Sequence, residues 1–299
     1  MKRKFGRDAG LSIRMLAASG MLGLLYVAFA VILFQVLDAG LVLMVVIVGG
    51  MALFQYFTSD KLALLASGAK IVERDEAPEL HAMVERLAAM ADLPKPRVAV
   101  IDTDVPNAFA TGRSPKHSAV AITTGLWRRL EPREVEGVLA HELAHIANRD
   151  VLVMTLASFF AMVAGLITRW SFFFGGGGDR REGGVPIWLV VLVVSIVTYA
   201  LSFILIRTIS RYREYAADRG AALVTGAPEN LMSALQKIAS GMATIPKRDL
   251  REVEAMNAFF IVPTSVKSAM GELFATHPPM EKRIARLAEV AREMGRPVR

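Results

Sequence analysis

Residues Met15–Val36 read MLAASGMLGLLYVAFAVILFQV, an uncharged and almost wholly apolar run. A helix needs about 20 such residues to cross a hydrocarbon core roughly 30 Å thick. Three further stretches of this kind follow, Leu41–Phe57, Val151–Ile167 and Ile187–Ile206. Only Leu37-Asp38-Ala39-Gly40 separates the first two, and the Gly-rich segment Phe174–Val185 separates the second two, so each pair reads as a hairpin of antiparallel spans. The chain is therefore read as a mainly α-helical integral membrane protein with four transmembrane helices in two hairpins. The basic opening Lys2-Arg3-Lys4 resembles that of a secretory signal, but the apolar run after it exceeds the 7–15 residues of a signal core. It is read as an uncleaved anchor.

Composition agrees. Of 299 residues 54% are hydrophobic, and mean hydropathy is +0.41. The chain has no cysteine, which excludes disulfide frameworks, Cys nucleophiles, iron–sulfur clusters and Cys-ligated zinc. A metal here would be held by His, carboxylate or carbonyl groups. There are 35 Lys plus Arg against 28 Asp plus Glu, for a net charge of +7. Five of the basic residues precede the first span, none lies in the first hairpin loop and many follow the fourth span, with Arg169, Arg180 and Arg181 the dissenting cluster. By the positive-inside rule both termini and residues 58–150 are expected in the cytoplasm. The basic excess is thus topological, with some of it available to anionic lipid. No basic stripe with interleaved aromatics suggests nucleic acid.

The spans divide the chain into an N-terminal tail and hairpin (1–57), a polar block (58–150), a second hairpin (151–206) and a second polar block (207–299). In the first block a helix is expected near Glu76–Leu93. Three β-rich runs follow, Arg97–Ile101, Ala108–Thr111 and Ser118–Thr123, and then a helix opening at Glu131-Pro132. The second block is expected to be helical, near Glu229–Ala243 and Met280–Met294. The polar part is thus expected to be a cytosolic α+β domain with a small three-stranded sheet.

On the helix that opens at Glu131-Pro132 lies His141-Glu142-Leu143-Ala144-His145. Four-residue spacing puts both imidazoles on one helical face, where they can converge on one cation, with Glu142 beside the open position. Catalytic zinc takes three protein ligands and keeps a place for water, so a third donor is needed. Glu214 fits: at 1.5 Å per residue, His145 lies roughly 9 Å before the third span and Glu214 roughly 12 Å after the fourth. Asp218, four residues further, faces the same side, where it can orient one imidazole. Two imidazoles and one carboxylate favour Zn²⁺. Simpler roles remain open for Glu214 and Asp218, as surface ion pairs with Arg211, Arg213 or Arg219. His81 and His117 lack partners at ligand spacing and read as solvated or locally bonded.

Four elements together resemble the HtpX family of membrane zinc metalloproteases, relatives of the CaaX prenyl endopeptidases. They are Pro106-Asn107-Ala108-Phe109-Ala110-Thr111-Gly112, the His141–Asp150 run, Arg213-Glu214-Tyr215-Ala216-Ala217-Asp218 and Thr276-His277-Pro278-Pro279. The resemblance spans nearly the whole chain. It implies a zincin-like protease domain and a multi-pass endopeptidase of the bacterial inner membrane. Such an enzyme would cleave misfolded or damaged membrane proteins at the cytosolic face without ATP. Residue by residue, it implies Glu142 as general base on zinc-bound water. His277 is the candidate stabiliser of the oxyanion, with Arg213 and Tyr215 weaker ones; capping of the helix at Pro278-Pro279 is the other reading of His277. Asn107, Ala108, Phe109 and Ala110 would form an exposed edge strand that takes substrate peptides as an added strand; an ordinary sheet strand followed by a Gly turn is the other reading. Self-cleavage is expected from the reach of the polar tails.

Two other functions fit less well. An intramembrane protease would carry its motif within a span, but Arg128, Arg129, Glu131, Arg133, Glu134, Glu136, Arg149 and Asp150 crowd this one. A non-catalytic channel or metal-stabilised scaffold is the other class: the spans carry few ionisable residues to mark a transport pathway, and a Glu142→Gln variant separates the scaffold from the enzyme. With no native thiol to interfere, single cysteines at Glu136 and Asn148 are expected to react with a membrane-impermeant reagent in opened vesicles. Failure of both to react would place the motif inside lipid.

Overall fold

The computed structural model describes residues 8–37, 41–174, 186–244 and 278–296. The expected loops at 38–40 and 175–185, and His277, lie outside the described residues. Helix α1 (Ala9–Leu37) and helix α2 (Leu41–Ala66) come first, then strand β1 (Lys70–Ile71) and helix α3 (Pro78–Met90). Strands β2 (Arg97–Ile101), β3 (Ala108–Ser114) and β4 (His117–Thr123) follow, with the short helix α4 (Thr124–Arg129). Helices α5 (Pro132–Asn148), α6 (Asp150–Phe174), α7 (Ile187–Thr225), α8 (Pro228–Thr244) and α9 (Met280–Glu293) complete the described chain.

Among the described residues, Ala9–Gln35, Asp150–Arg169 and Ile187–Thr225 are long and apolar enough to cross a membrane. The remaining expected span, Leu41–Phe57, falls within α2, where many side chains lie outside the described residues. Ala18, Leu22 and Tyr26 of α1 pack with Ala157 of α6 and Ile209 of α7. The Tyr26 hydroxyl donates to the Ala157 carbonyl, satisfying a polar group that lipid could not. Outward-facing Leu16, Leu24, Val27 and Leu53 are exposed, as lipid contact requires.

The sheet has four strands, in the order β1-β2-β4-β3, rather than the three expected. Strand β1 is two residues long, too short for alternation to reveal it. It pairs antiparallel to β2, β2 runs parallel to β4, and β3 runs antiparallel to β4 with Ala108 opposite Ile122. One face, bearing Val98, Ala108, Val120 and Ile122, joins the main core with Leu87 of α3 and Leu139 and Leu143 of α5. The other, bearing Ala99, Phe109 and Ala121, meets Leu64 of α2. Burying each such Leu contributes about 1.5–3 kcal/mol. Strand β3 is the edge by pairing but is not exposed as expected: Asn107, Ala108, Phe109 and Thr111 are all buried. Helices on both faces cover its side chains, so only backbone is offered along its free side.

The α5 helix begins as its sequence predicts, with Pro132 in its first turn. The Glu134 carboxylate accepts the Glu131 N–H at 2.8 Å and also receives Ser233 and Lys237 of α8, which fixes α5 against α8. At the other end Arg149 adopts a left-handed conformation (φ 57°) that ends α5 and starts α6 in a new direction. Gly112, in the β3–β4 hairpin, has φ +141°, and a Cβ there would lie 2.3 Å from the His117 carbonyl oxygen. Gly112→Ala is expected to destabilise the protein by about 1–3 kcal/mol, read as a lowered thermal unfolding midpoint in detergent.

Candidate metal centre

Helix α5 supplies His141, Glu142 and His145, and α7 supplies Glu214 and Asp218. The α7 helix is a single element of 39 residues, about 58 Å long. Its apolar part gives way after Ile206 to a polar extension packed along α5, which brings the distant carboxylates to the histidines. His141 Nε2 and His145 Nε2 lie 3.1 Å apart. Glu214 Oε2 is 3.6 Å from His141 Nε2, and its Oε1 is 3.4 Å from His145 Nε2. Ligands bound at 2.0–2.1 Å around a tetrahedral zinc ion stand about 3.3 Å from one another. The contacts are of that length, the Glu214 carboxylate reaching each imidazole through a different oxygen, and among the described residues the three side chains form a group able to hold a metal ion.

Both histidines are held from behind. His141 Nδ1 meets Asp218 Oδ1 at 2.9 Å, which is the orienting contact expected of Asp218. His145 Nδ1 meets Asp150 Oδ2 at 2.6 Å. Each ring thus turns its Nε2 toward the common point, because its other nitrogen is engaged. Asp150 is also paired with Arg213 at 2.9 Å, and Asp218 with Arg283 of α9 at 2.6 Å. Arg283 is 1% exposed and reaches Glu214 as well, at 3.4 Å. Asp218 is thus a buried carboxylate between a histidine and an arginine, and not the surface partner of Arg213 or Arg219. Glu142, 4% exposed, accepts the backbone N–H of Ala110 on β3 at 2.7 Å.

Charge is as informative as distance. Glu142, Glu214, Asp150 and Asp218 are all buried, as are Arg213 and Arg283, so the fixed charges leave a net of two negative. That is the complement of a divalent cation. The imidazoles feel the same field. Burial alone would lower the His145 pKa, but its bonds to Asp150 and Glu214 outweigh burial and push it up to about 10. His141 is raised likewise by Asp218 and Glu214 against the effect of burial. Burial pushes the Glu142 carboxyl up.

The sequence did not single out Asp150 or Arg283. Arg283 occupies the apolar stripe of α9 with Leu287, Val290 and Ala291, and a cation in such a stripe was the available signal. Asp150 stands at the threshold of the third span, where an acid needs a partner. Two expected roles change. Arg213 is committed to Asp150 and is not aimed at a substrate oxyanion. Tyr215 lines a separate cleft between α1, α7 and α9. His81 and His117 bond locally, to the Val72 carbonyl and to Ser114.

Helices of membrane-spanning length that converge on a His-His-Glu cluster define a membrane metalloprotease. The chain belongs to peptidase family M48, whose profile matches residues 74–291. It is 52% identical over 295 residues to Protease HtpX homolog 2 of Methanosarcina acetivorans, covering 98% of this chain and 100% of that protein. The Protease HtpX homolog of Moorella thermoacetica is 53% identical over 300 residues, covering 98% and 99% respectively. Protease HtpX homolog 1 of Streptomyces coelicolor is 50% identical over 297 residues, covering 99% and 97%. Among solved structures, Ste24p of S. mikatae shares the fold, with a TM-score of 0.52 at 18% identity. That match covers 94% of this chain and 66% of Ste24p.

Removing a carboxylate behind a ligating histidine costs 10–100-fold in metal affinity in comparable sites. Asp218→Asn and Asp150→Asn are each expected to weaken divalent-metal retention about 10–100-fold, measured by competition with a chelating dye on folded protein.

Proposed function

We propose that the protein is a zinc-dependent endopeptidase of the bacterial inner membrane, with its site and both termini on the cytoplasmic side. Its substrates are misfolded or damaged membrane proteins. The observation that carries this reading is the convergence of His141, His145 and Glu214, with contacts of 3.1–3.6 Å, and Glu142 next to His141 on the same helix. Zinc suits two imidazoles and one carboxylate better than magnesium or calcium, which take oxygen ligands. Bound there, it would polarise a peptide carbonyl and acidify water.

The chain's own residues do the rest. Glu142 takes the proton from the attacking water and passes it to the leaving amine. Asp150 and Asp218 hold the two rings, while Arg213 and Arg283 hold those carboxylates in turn. Asn107 accepts from Thr123 N–H, so in the antiparallel β3–β4 ladder Ala108 and Ala110 turn their N–H and C=O groups to the free side. A substrate strand pairing there takes over the Ala110 N–H from Glu142 and frees the carboxylate as the peptide arrives. Recognition through backbone suits varied substrates, because side chains are not read. His277 keeps the oxyanion role expected from the sequence, since Arg213 and Tyr215 are engaged elsewhere.

Glu142→Gln tests the assignment. Purified in detergent, it should fold and keep its metal but lose about 10²–10⁴-fold in peptide cleavage. Fragments from self-cleavage should vanish with it. Undiminished cleavage by a clean preparation would remove Glu142 from the reaction.

A further inference from the structure

Away from the metal centre, α1, α7 and α9 enclose a cleft of about 360 Å³. Asp8, Arg14, Tyr212, Tyr215, Lys282 and Arg286 line it, with Glu289 at its side. None of His141, Glu142, His145 and Glu214 lines this cleft. Its height relative to the spans is fixed by the helices. Arg14 immediately precedes Met15, where the first apolar run begins, and Tyr212 lies six residues beyond Ile206, about 9 Å along α7. The polar layer of a bilayer adds roughly 5–8 Å on each side of the hydrocarbon. The cleft therefore spans the headgroup layer.

Its chemistry suits an anion of single charge. Three cations face two carboxylates, which leaves a net charge of one positive, and the two tyrosines add hydroxyl donors at the depth where tyrosine concentrates. Asp8 is already engaged, accepting the Leu11 N–H at 3.0 Å and pairing with Arg286, which also lies 3.6 Å from Glu289. Arg14 is exposed and makes no ion pair among the described residues. The volume is at the low end for a small-molecule site, enough for a headgroup and not for a whole lipid. Beside Arg14, Ile13 and Leu16 are 67% and 75% exposed, an apolar surface on which acyl chains can lie.

We infer that this cleft binds the phosphodiester headgroup of an anionic phospholipid, with Arg14, Lys282 and Arg286 on the phosphate. Orthophosphate shares the charge chemistry, but it has no use for the apolar flank. The occupant touches α1, α7 and α9 together. Helix α9 also carries Arg283, the neighbour of Lys282, into Asp218 on its opposite side. A bound headgroup therefore braces the helix that supports the His141 carboxylate from behind.

The test uses the full chain in a nonionic detergent, titrated with dihexanoyl-phosphatidylglycerol and read by native mass spectrometry. Saturable binding of one lipid per chain is expected. Each surface cation near lipid is worth about fivefold in binding, so Arg14→Gln with Lys282→Gln should weaken retention about 30-fold. Lys116→Gln, an exposed cation in the β3–β4 turn, should leave retention unchanged. If the double variant does not fold, Arg14→Gln alone is read, with about fivefold weakening expected. Unchanged retention in the cleft variants would overturn the site, as would an equal loss in Lys116→Gln. Displacement by inorganic phosphate at equal concentration would make it a free-anion site and overturn the lipid.

Discussion

Four carboxylates are buried within one small region, and the rest of the structure is arranged around making that tolerable. Two such charges 4 Å apart repel by about 4 kcal/mol at an effective dielectric constant of 20. Arg213 and Arg283 remove part of that repulsion, and the imidazoles take up more by attracting protons. With both imidazoles neutral, as metal ligation requires, two negative charges remain where the three ligand side chains meet. A dication bound there would offset them. The same electrostatics explain why an arginine can be almost wholly buried in α9: its partners Asp218 and Glu214 would be the more costly groups without it.

Helix α7 connects the membrane part to this cluster. Its upper portion packs on α1 and α6 through small and apolar residues, while its lower portion presents Ala217, Ala221 and Val224 to the core shared with α5 and α8. Because it is one continuous helix, the position of Glu214 is set by the seating of the span. The sheet plays a different part. Its central strands are buried on both faces, and at one margin lies the outer edge of β3, whose Ala110 amide already meets Glu142. Scaffold, ligands and the edge for peptide pairing are thus contributed by separate layers that meet at α5.

Much of this arrangement was legible in the sequence because the relevant signals are local. The apolar runs gave the long helices, Pro132 gave the start of α5, and strands β2 to β4 fell within a few residues of their expected bounds. The approach of Glu214 to the histidines followed from helix rise alone. Pairing was not legible: the parallel β2–β4 ladder and the two-residue β1 depend on partners far along the chain. Nor was the burial of β3, which comes from helices α2 and α5 closing over it. Arg283 was missed because a charged residue in a helix is ordinarily read as solvated, and only its carboxylate partners on another helix make burial favourable.

The left-handed corner at Arg149 has a mechanical consequence. A continuous rod from α5 into α6 would hand every tilt of the span to the histidines. Instead the joint falls next to Asp150, whose carboxylate is fastened to His145 on one side and to Arg213 on the other. The fulcrum is therefore at the ligand cluster itself. A tilt of α6 about that corner would act on the imidazoles with a lever arm close to zero.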